Sequence, residues 1–258
     1  MTCAFEAARE RFRDLLAELV AELPGLRQPV GRGLPLFRGS IARRMAEVAW
    51  THREVFVTPM VAVAGAIAEA MLAATVEAAP LRRAFVNDGG DIALYLADGE
   101  HLDIGVVRSL NRPQIETSVR ITSDSPIRGI ATSGWPGRSF SLGIADAVTI
   151  LARSAAVADA AATMVANAVN VDDPAILRRP ARSLDPDSDL GDIAVTVAVG
   201  RLNGGQIKEA LASGRRQAQA LIETAQIEGA LLSLAGSSIS VGATPPPKPA
   251  TTPRSILV

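Results

Sequence analysis

The chain has 258 residues, 48% hydrophobic and 21% charged, with a formal net charge of −1. This composition indicates a globular protein with a sizeable core, and the near-neutral charge excludes the basic footprint of a nucleic-acid-binding protein. The single cysteine, Cys3, excludes an intrachain disulfide and a cysteine metal cluster. The N-terminal sequence lacks the features of a secretory signal, so we expect a cytoplasmic protein.

The first third of the chain predicts three helices. Apolar residues at helical spacing predict the first over residues 5–22, ended by Pro24 and Gly25. A second is expected over residues 40–50, because a serine there can cap its start. A third, strongly apolar helix is expected over residues 59–76, with a proline in its first turn.

The apolar helix over residues 59–76 resembles a membrane span at first sight. Glu69 interrupts it before the roughly 18 uninterrupted apolar residues of a span are reached. The segment is also rich in alanine rather than leucine. We therefore expect a buried, tightly packed helix and no membrane partner.

The rest of the chain predicts short strands between two further helices. Alternating or β-branched segments, separated by turns that contain Gly and Asp, are typical of strands. Runs of strands between long buried helices predict an α+β fold with mainly antiparallel sheets. The strands are expected at residues 83–86, 92–96, 102–107, 117–122, 127–132, 145–151, 193–199, 230–234 and 238–241, and the helices at 155–169 and 206–224.

Two segments carry little regular structure in this prediction. Residues 170–192 are rich in Asp and Pro, so we expect an ordered but irregular excursion there. Residues 243–258 contain a run of prolines and are expected to form a mobile tail. The remaining residues, 1–242, are predicted to form one domain.

The strongest candidate for chemistry is a pair of polar residues on the apolar helix over residues 155–169. Asp159 and Thr163 are four residues apart, so they lie on one face of the helix. A carboxylate and a hydroxyl can there offer two oxygens to Mg²⁺. The alternative is structural: Asp159 would pair with an arginine, and Thr163 would bond the carbonyl one turn back. Spacing alone favours the structural alternative.

A second candidate is the turn formed by Asn87, Asp88, Gly89, Gly90 and Asp91, between two predicted strands. Asp-Gly-Gly suits a tight turn, because glycine adopts positive φ without strain. Paired glycines also let backbone N–H groups approach a phosphate or a ring closely. The turn role explains the sequence by itself, and the two roles are compatible.

A third candidate is the loop over residues 132–141, which follows a predicted strand. It is crowded with hydroxyls and glycines and holds one arginine, whose planar fork of donors suits a phosphate. A plain surface loop is the default alternative. The candidate ligand-binding residues are Thr132, Ser133, Gly134, Arg138, Ser139 and Ser141.

The order of these segments resembles ApbE-type proteins. N-D-G-G-D at 87–91 is followed by A-T-S-G at 131–134 and by S-A-A-V-A-D-A-A-A-T at 154–163. ApbE proteins carry N-A-G-G-D, then S-T-S-G, then a helix with A-D-A-x-A-T. The resemblance spans most of residues 30–235.

Three further segments are similar to a shorter, uncharacterised ApbE-related family. They are T-P-M-V-A-V-A-G-A-I-A-E at 58–69, S-F-S-L-G-I-A-D-A-V at 139–148 and S-L-D-P-D-S-D-L-G-D at 183–192. On this resemblance the chain is identified as a short member of the ApbE flavin-transferase superfamily. The resemblance implies an ApbE-like, T-fold-related domain.

ApbE proteins bind FAD and, with Mg²⁺, transfer FMN onto a threonine of a partner protein. The resemblance implies that Asp159 and Thr163 are Mg²⁺ ligands and that a backbone carbonyl from residues 61–64 is a third. It also places the turn at 89–91 and the loop at 132–134 in the flavin site. The chain departs from the ApbE pattern between that loop and the helix, because residues 138–146 contain no histidine where ApbE proteins carry a histidine pair.

We therefore expect a site that binds FAD, FMN or a similar phosphate-bearing small molecule with Mg²⁺, with Arg138 as an anion clamp. An enzyme of this kind would perform metal-assisted FMN or nucleotidyl transfer. Two alternatives stay open: a ligand-binding or structural protein without chemistry, and a metabolic enzyme with a non-flavin substrate. The sequence names no acceptor protein and leaves a homodimer open.

Overall fold

The computed structural model describes residues 2–107, 115–242 and 248–249. It confirms an α+β protein. The finer expectation of an ApbE-like, T-fold-related domain rests on the resemblance alone. A short 3-10 helix over Pro59–Ala62 precedes the third of five α-helices in the described residues. These helices are α1 (Thr2–Leu26), α2 (Ser40–Trp50), α3 (Val63–Glu77), α4 (Ala155–Ala168) and α5 (Gly204–Glu223).

The strands of the described residues pair antiparallel throughout, as the sequence predicts. A second 3-10 turn, Ala181–Ser183, follows the seventh strand. The strands are β1 (Arg83–Asp88), β2 (Asp91–Leu96), β3 (His101–Val107), β4 (Ile115–Thr122), β5 (Gly129–Ser133), β6 (Ala147–Ala152), β7 (Ile176–Pro180), β8 (Ala194–Val199), β9 (Gly229–Leu234), β10 (Ser237–Gly242) and β11 (Lys248–Pro249).

The main sheet has six strands in the order β1-β2-β5-β6-β9-β10. Strand β6 lies near its middle, and every residue of β6 is buried. A second sheet has the order β11-β4-β3, and β7 pairs with β8 in a hairpin. The β1–β2 turn and the end of β5 lie side by side at one end of the main sheet, because β5 pairs with the start of β2.

Helix α4 lies at the centre of the fold and packs against β5, β6, α3 and α5. Its sequence is mostly alanine, so the neighbouring backbones approach closely. A side chain at Gly65 of α3 would overlap the carbonyl of Ala155. This close packing brings the start of α3 to the polar face of α4. The Ser154 hydroxyl caps α4 by accepting the N–H of Val157. The predicted cap at Ser40 is wrong, because Ser40 is the first residue of α2 and the N-cap position is Gly39, which has no side chain to bond the helix.

The predicted end of α1 is wrong. The helix includes Pro24 and runs to Leu26, and the backbone N–H of Arg27 still bonds the carbonyl of Leu23 at 3.0 Å. A proline in the last turn removes one N–H and costs one bond of the ladder. Burial of the Leu26 side chain, only 1% exposed, offsets this loss and extends the helix.

The segment over residues 170–192 contains a strand that the prediction missed. Ile176–Pro180 forms β7, which pairs with β8 across a register shift between Leu177 and Arg178. Only Ile176 of this strand is buried, so its sequence lacks the apolar alternation that identifies a strand. The other predicted elements are present, and most of their ends differ by one or two residues. The helix expected over residues 59–76 is the exception, because its first four residues form a 3-10 helix and α3 begins at Val63.

Among the described residues, one segment, Pro59–Glu77, is long and apolar enough to cross a membrane by length and composition. In the structure it packs against α1, α4, β1 and β2. Ala68 and Leu72 are buried on the side that faces the main sheet and α4, and Ala66 is buried on the side that faces α1 and α2. Much of the rest of the segment is only partly buried. The expected full burial of this helix is therefore wrong, because part of α3 remains accessible to solvent. The cytoplasmic location stays a prediction.

The proline-rich tail lies mostly outside the described residues. Lys248 and Pro249, which form β11, pair with Ser118 and Thr117 of β4. The division into a domain over residues 1–242 and a tail over residues 243–258 stays a prediction.

Candidate functional site

One cleft collects most of the candidate residues. It is formed by the start of α3, the β1–β2 turn, the loop after β5 and the polar face of α4. Two adjoining cavities of about 370 and 390 Å³ make up this cleft. Both cavities are lined by Ala64, Asp91, Arg138, Ser139, Asp159 and Thr163.

Asp159 faces the cleft from α4 and contacts the first turn of α3. Its Oδ2 atom accepts the backbone N–H of Gly65 at 3.0 Å. The structural alternative named an arginine as its partner, but the partner is a backbone N–H at a helix N-terminus. Burial raises the pKa of Asp159 well above its ordinary value, repulsion from Asp91 adds to this, and the N–H of Gly65 opposes it.

Asp91 begins β2 and faces Asp159 across the cleft. Burial is the main cause that raises its pKa to about 7, and the charge of Asp88 raises it further. The guanidinium of Arg138 and the backbone N–H of Thr132 oppose this shift. Two partly buried carboxylates that repel one another therefore share this space.

Arg138 lies against the glycine turn. A Cβ on Gly89 would overlap the Nη2 atom of Arg138, so only glycine lets the guanidinium occupy this position. Gly89 also has a φ of 69°, which favours glycine. Within the described residues, Arg138 forms no ion pair. Its donors are therefore available to an anion in the cleft.

Thr163 lies one turn after Asp159 and lines both cavities, as the spacing predicts. In the described part of the chain, its hydroxyl makes no hydrogen bond, so the expected bond to the carbonyl one turn back is absent. Asn167, a further turn along α4, lines the more apolar of the two cavities. The regular spacing at 159, 163 and 167 could have identified Asn167 in advance.

Three predicted ligand-binding residues do not line the cleft. The side chain of Asn87 accepts the backbone N–H of Gly90 at 2.8 Å, so both residues close the turn itself. Ser141 is buried, and its hydroxyl donates to Oδ1 of Asn167 at 3.2 Å. Their polar groups serve local structure. The other candidates that line the cleft are Asp88, Gly89, Thr132, Ser133 and Gly134.

The cleft also contains residues that the motifs did not predict. The hydroxyl of Thr58 donates to the carboxylate of Asp189, which ties an acidic loop to the start of α3. This loop was predicted only as an irregular acidic segment. The apolar wall of the cleft includes Phe56, Met60, Val61, Phe140, Leu142 and Met164, and the loop adds the acidic side chains of Asp185, Asp187 and Asp189.

The side chains of the cleft that could bind a metal ion do so through oxygen atoms. Neither His52 nor His101 lines it. Within residues 2–107, 115–242 and 248–249, no group of three or more His, Cys, Asp or Glu side chains could by itself hold a metal ion. Asp91, Asp159 and Thr163 thus provide two carboxylates and a hydroxyl, an incomplete set for an all-protein cage.

Comparisons with known proteins match nearly the whole chain to one family. A family model described as "AbpE bacteria" matches residues 1–240. A UPF0280 protein of Methanothrix thermoacetophila is 38% identical over 140 residues, which cover 54% of this chain and 56% of the relative. The UPF0280 protein of Methanospirillum hungatei is 35% identical over 146 residues, or 56% of this chain and 57% of the relative. The alignments thus span little more than half of these relatives.

These matches correct the assignment drawn from the motifs. The expected identity as a short member of the ApbE flavin-transferase superfamily is wrong, because the relatives found are UPF0280 proteins. The name of these relatives mentions no flavin, metal or transfer reaction. The shared order of short motifs was therefore weaker evidence than a family match over residues 1–240.

Proposed function

The chain belongs to the family described as "AbpE bacteria", and we propose that its cleft binds a phosphate-bearing small molecule together with Mg²⁺. A flavin nucleotide, FAD or FMN, is one ligand of this class. The proposal rests on the cleft of this chain and on none of the activities of other proteins.

The observation that carries the proposal is the meeting of Asp91 and Asp159 in one cleft. Burial and mutual repulsion both raise the pKa of Asp159. Buried carboxylates cost free energy unless a cation or hydrogen bonds compensate them. Within the described residues, neither carboxylate forms a close ion pair, and the charge of Arg138 opposes the pKa shift of Asp91 only in part. A divalent cation between them would remove the repulsion.

Mg²⁺ fits this ligand set better than a softer metal does. It prefers oxygen ligands and is usually held by one or two carboxylates plus phosphate oxygens and water. Asp91, Asp159 and the free hydroxyl of Thr163 provide such a partial set. No group of three or more His, Cys, Asp or Glu side chains among the described residues could hold a metal by itself, so phosphate oxygens and water would have to complete the coordination.

The surroundings of the two carboxylates suit the rest of such a ligand. Arg138 has free donors beside the glycine turn and can neutralise a phosphate. Apolar and aromatic side chains, including Phe56 and Phe140, line the adjoining cavity of about 370 Å³. A planar ring can pack against such a wall.

Any reaction in this cleft would be phosphoryl or nucleotidyl transfer. A bound Mg²⁺ would neutralise charge that develops on the phosphate oxygens. Asp91, Asp159 and Thr163 would hold the cation, and Arg138 would orient the phosphate. Binding without chemistry is the alternative, and so is a non-flavin substrate.

The test is to titrate the purified full-length protein with FAD, FMN and pyrophosphate, with and without Mg²⁺. Calorimetry and flavin absorbance would give the affinities. We expect binding that requires Mg²⁺ and becomes at least tenfold weaker in Asp159→Asn and in Arg138→Ala. The matched controls are Asp98→Asn and Arg201→Ala, which change exposed residues outside the cleft.

The outcomes separate the alternatives. Mg²⁺-dependent binding of pyrophosphate but not of FAD would support a site for a cation and a phosphate and would exclude a flavin as its ligand. Binding followed by release of phosphate or of a mononucleotide would establish an enzyme. If no phosphate compound binds under any metal condition, or if Asp98→Asn weakens binding as much as Asp159→Asn does, the proposal is wrong.

A further inference from the structure

Helix α1 has apolar residues on two adjoining sides, and only one of them is covered. Leu15, Leu19 and Leu26 are buried in a cluster with α2 and α3. The neighbouring side exposes a row of large apolar residues, here called the α1 stripe. The α1 stripe consists of Phe5, Phe12, Leu16 and Val20, which are 71%, 63%, 67% and 55% exposed.

The spacing of the α1 stripe makes it continuous. Phe12 follows Phe5 by two turns, and Leu16 and Val20 each follow by about one turn, so their side chains lie along one line of the helix. Leu23, which is partly exposed, extends this line. The helix has 25 residues, which gives a length of about 37 Å. Single exposed apolar residues are common, but a row of this length is not.

The area of the α1 stripe matches what a dimer of this chain would need. With full side-chain areas of about 150–200 Å², the four residues expose on the order of 450 Å² of apolar surface. A stable interface buries about 800 Å² per partner, of which roughly 55–65% is apolar. The α1 stripe thus provides the apolar part of one standard interface.

The order of residues in the α1 stripe is self-complementary. Phe12 and Leu16 lie at equal distances on either side of position 14, and so do Phe5 and Leu23. When two copies of α1 pack antiparallel about a twofold axis at this position, each phenylalanine meets a leucine of the other copy. This is the condition for an isologous contact, in which the same patch serves both partners.

The charge of α1 favours a second copy over a lipid surface. The helix carries five acidic and three basic side chains, a net charge of −2. Helices that lie in a membrane surface are rich in Lys and Arg on the polar face, because anionic lipids attract them. An acidic helix is repelled by such lipids.

From these observations we propose that the protein forms a twofold homodimer in which the α1 stripes of two copies pack antiparallel, with Phe12 of each copy against Leu16 of the other. This proposal is independent of the cleft and of the proposed ligand. The α1 stripe is then the interface core, and the charged residues of α1 form its rim.

The first test measures mass and dissociation of the full-length protein by analytical ultracentrifugation. We expect a particle of twice the chain mass of 26.9 kDa, with Phe12→Asp and Leu16→Asp each weakening association at least 100-fold. Phe85→Asp is the matched control, because Phe85 is 62% exposed on β1 and should leave the dimer intact. Circular dichroism checks that each variant is folded. A monomeric native protein, or a dimer that both α1 variants retain, would overturn the proposal.

The second test determines the register by disulfide cross-linking in a Cys3→Ser background. An equimolar mixture of Phe12→Cys and Leu16→Cys should form a cross-linked dimer, whereas neither variant alone should do so. In a parallel arrangement each variant would cross-link to itself, because identical positions would then meet. Two cysteines must come within about 7 Å between Cα atoms, so self-linking without mixed linking would refute the antiparallel register.

Two alternatives to a second copy, the C-terminal tail and a membrane surface, can be distinguished by related experiments. A chain that ends at Gly242 should remain dimeric. Dimerisation that appears only in this shortened chain would show that the tail over residues 243–258 covers the stripe, and the proposal would be wrong. Binding of the native monomer to phosphatidylserine vesicles, lost in Phe12→Asp, would identify a membrane surface and would equally overturn it.

Discussion

Replacement of Asp91 by asparagine should stabilise the metal-free protein, and the gain should depend on pH. The pKa of Asp91 is raised from 3.8 to about 7 by burial and by Asp88. A group whose folded-state pKa is raised contributes stability below its unfolded pKa and loses it as the pH rises to the folded pKa. The free energy of unfolding should therefore fall between about pH 4 and pH 7 in the native sequence.

The size of this effect follows from the shift. A gap of about three pKa units corresponds to roughly 4 kcal/mol above pH 7, and to about 1.5 kcal/mol at pH 5. The asparagine side chain would keep an oxygen that can accept the N–H of Thr132 without carrying a charge. Asp91→Asn should therefore be more stable than the native protein by up to about 4 kcal/mol at pH 8, with a smaller gain at pH 5.

Urea unfolding at pH 5 and pH 8, in the presence of a chelator, measures this difference. Asp98→Asn, an exposed residue in the turn after β2, is the matched control and should show no gain at either pH. Equal stability of Asp91→Asn and the native protein at pH 8, or a gain that does not change with pH, would refute the argument that Asp91 is a costly buried charge.

Three further predictions concern the same region. Mg²⁺ should raise the melting temperature more at pH 8 than at pH 6, because protons compete for Asp91; equal shifts measured by scanning calorimetry would contradict a shared carboxylate site. Gly89→Ala should weaken Mg²⁺-dependent pyrophosphate binding at least tenfold, as measured by calorimetry, because the added Cβ displaces the guanidinium of Arg138. The control is Gly99→Ala, which also has a positive φ but has open space around it. This control shows the effect of backbone strain without displacement of Arg138. Gly65→Ala should lower the free energy of unfolding by about 2–3 kcal/mol, because its Cβ overlaps the backbone of α4, and an unchanged urea midpoint would show that the helices can separate without cost.

Most of the fold could be predicted from local patterns. The helices expected over residues 40–50 and 155–169 agree with α2 and α4, although Ser40 does not cap α2. Strand β7 could not be predicted in this way, because only Ile176 of its residues is buried. Its pairing with β8 comes from tertiary contact rather than from a hydrophobic pattern. The same holds for the end of α1, where the burial of Leu26 decides the boundary.

The candidate site could be predicted only where its residues belong to one element. Asp159 and Thr163 share a helix, so their spacing places both on one face. Asp91 lies 68 positions before Asp159, and no spacing rule indicates that the two carboxylates meet. Asn87 and Ser141 are residue types that often bind ligands, but here they do not face the cleft. Asn87 accepts the backbone N–H of Gly90, and Ser141 bonds Asn167 and the backbone N–H of Gly143. Composition identifies polar segments and does not show what each polar group faces.

Asp159 has a structural explanation, the bond to the N–H of Gly65, and a functional one, a cation site, and the two differ in what they imply for the neighbouring residues. Acceptance of the Gly65 N–H explains a polar residue on the buried face of α4, and a neutral asparagine could do the same. It does not explain why a second, partly buried carboxylate, Asp91, lies near the first and raises its pKa. Each such charge costs free energy in the metal-free protein. A cation bound between Asp91 and Asp159 would compensate both charges, whereas the N–H of Gly65 compensates only that of Asp159. The two carboxylates together therefore support a cation site, although Asp159 alone does not.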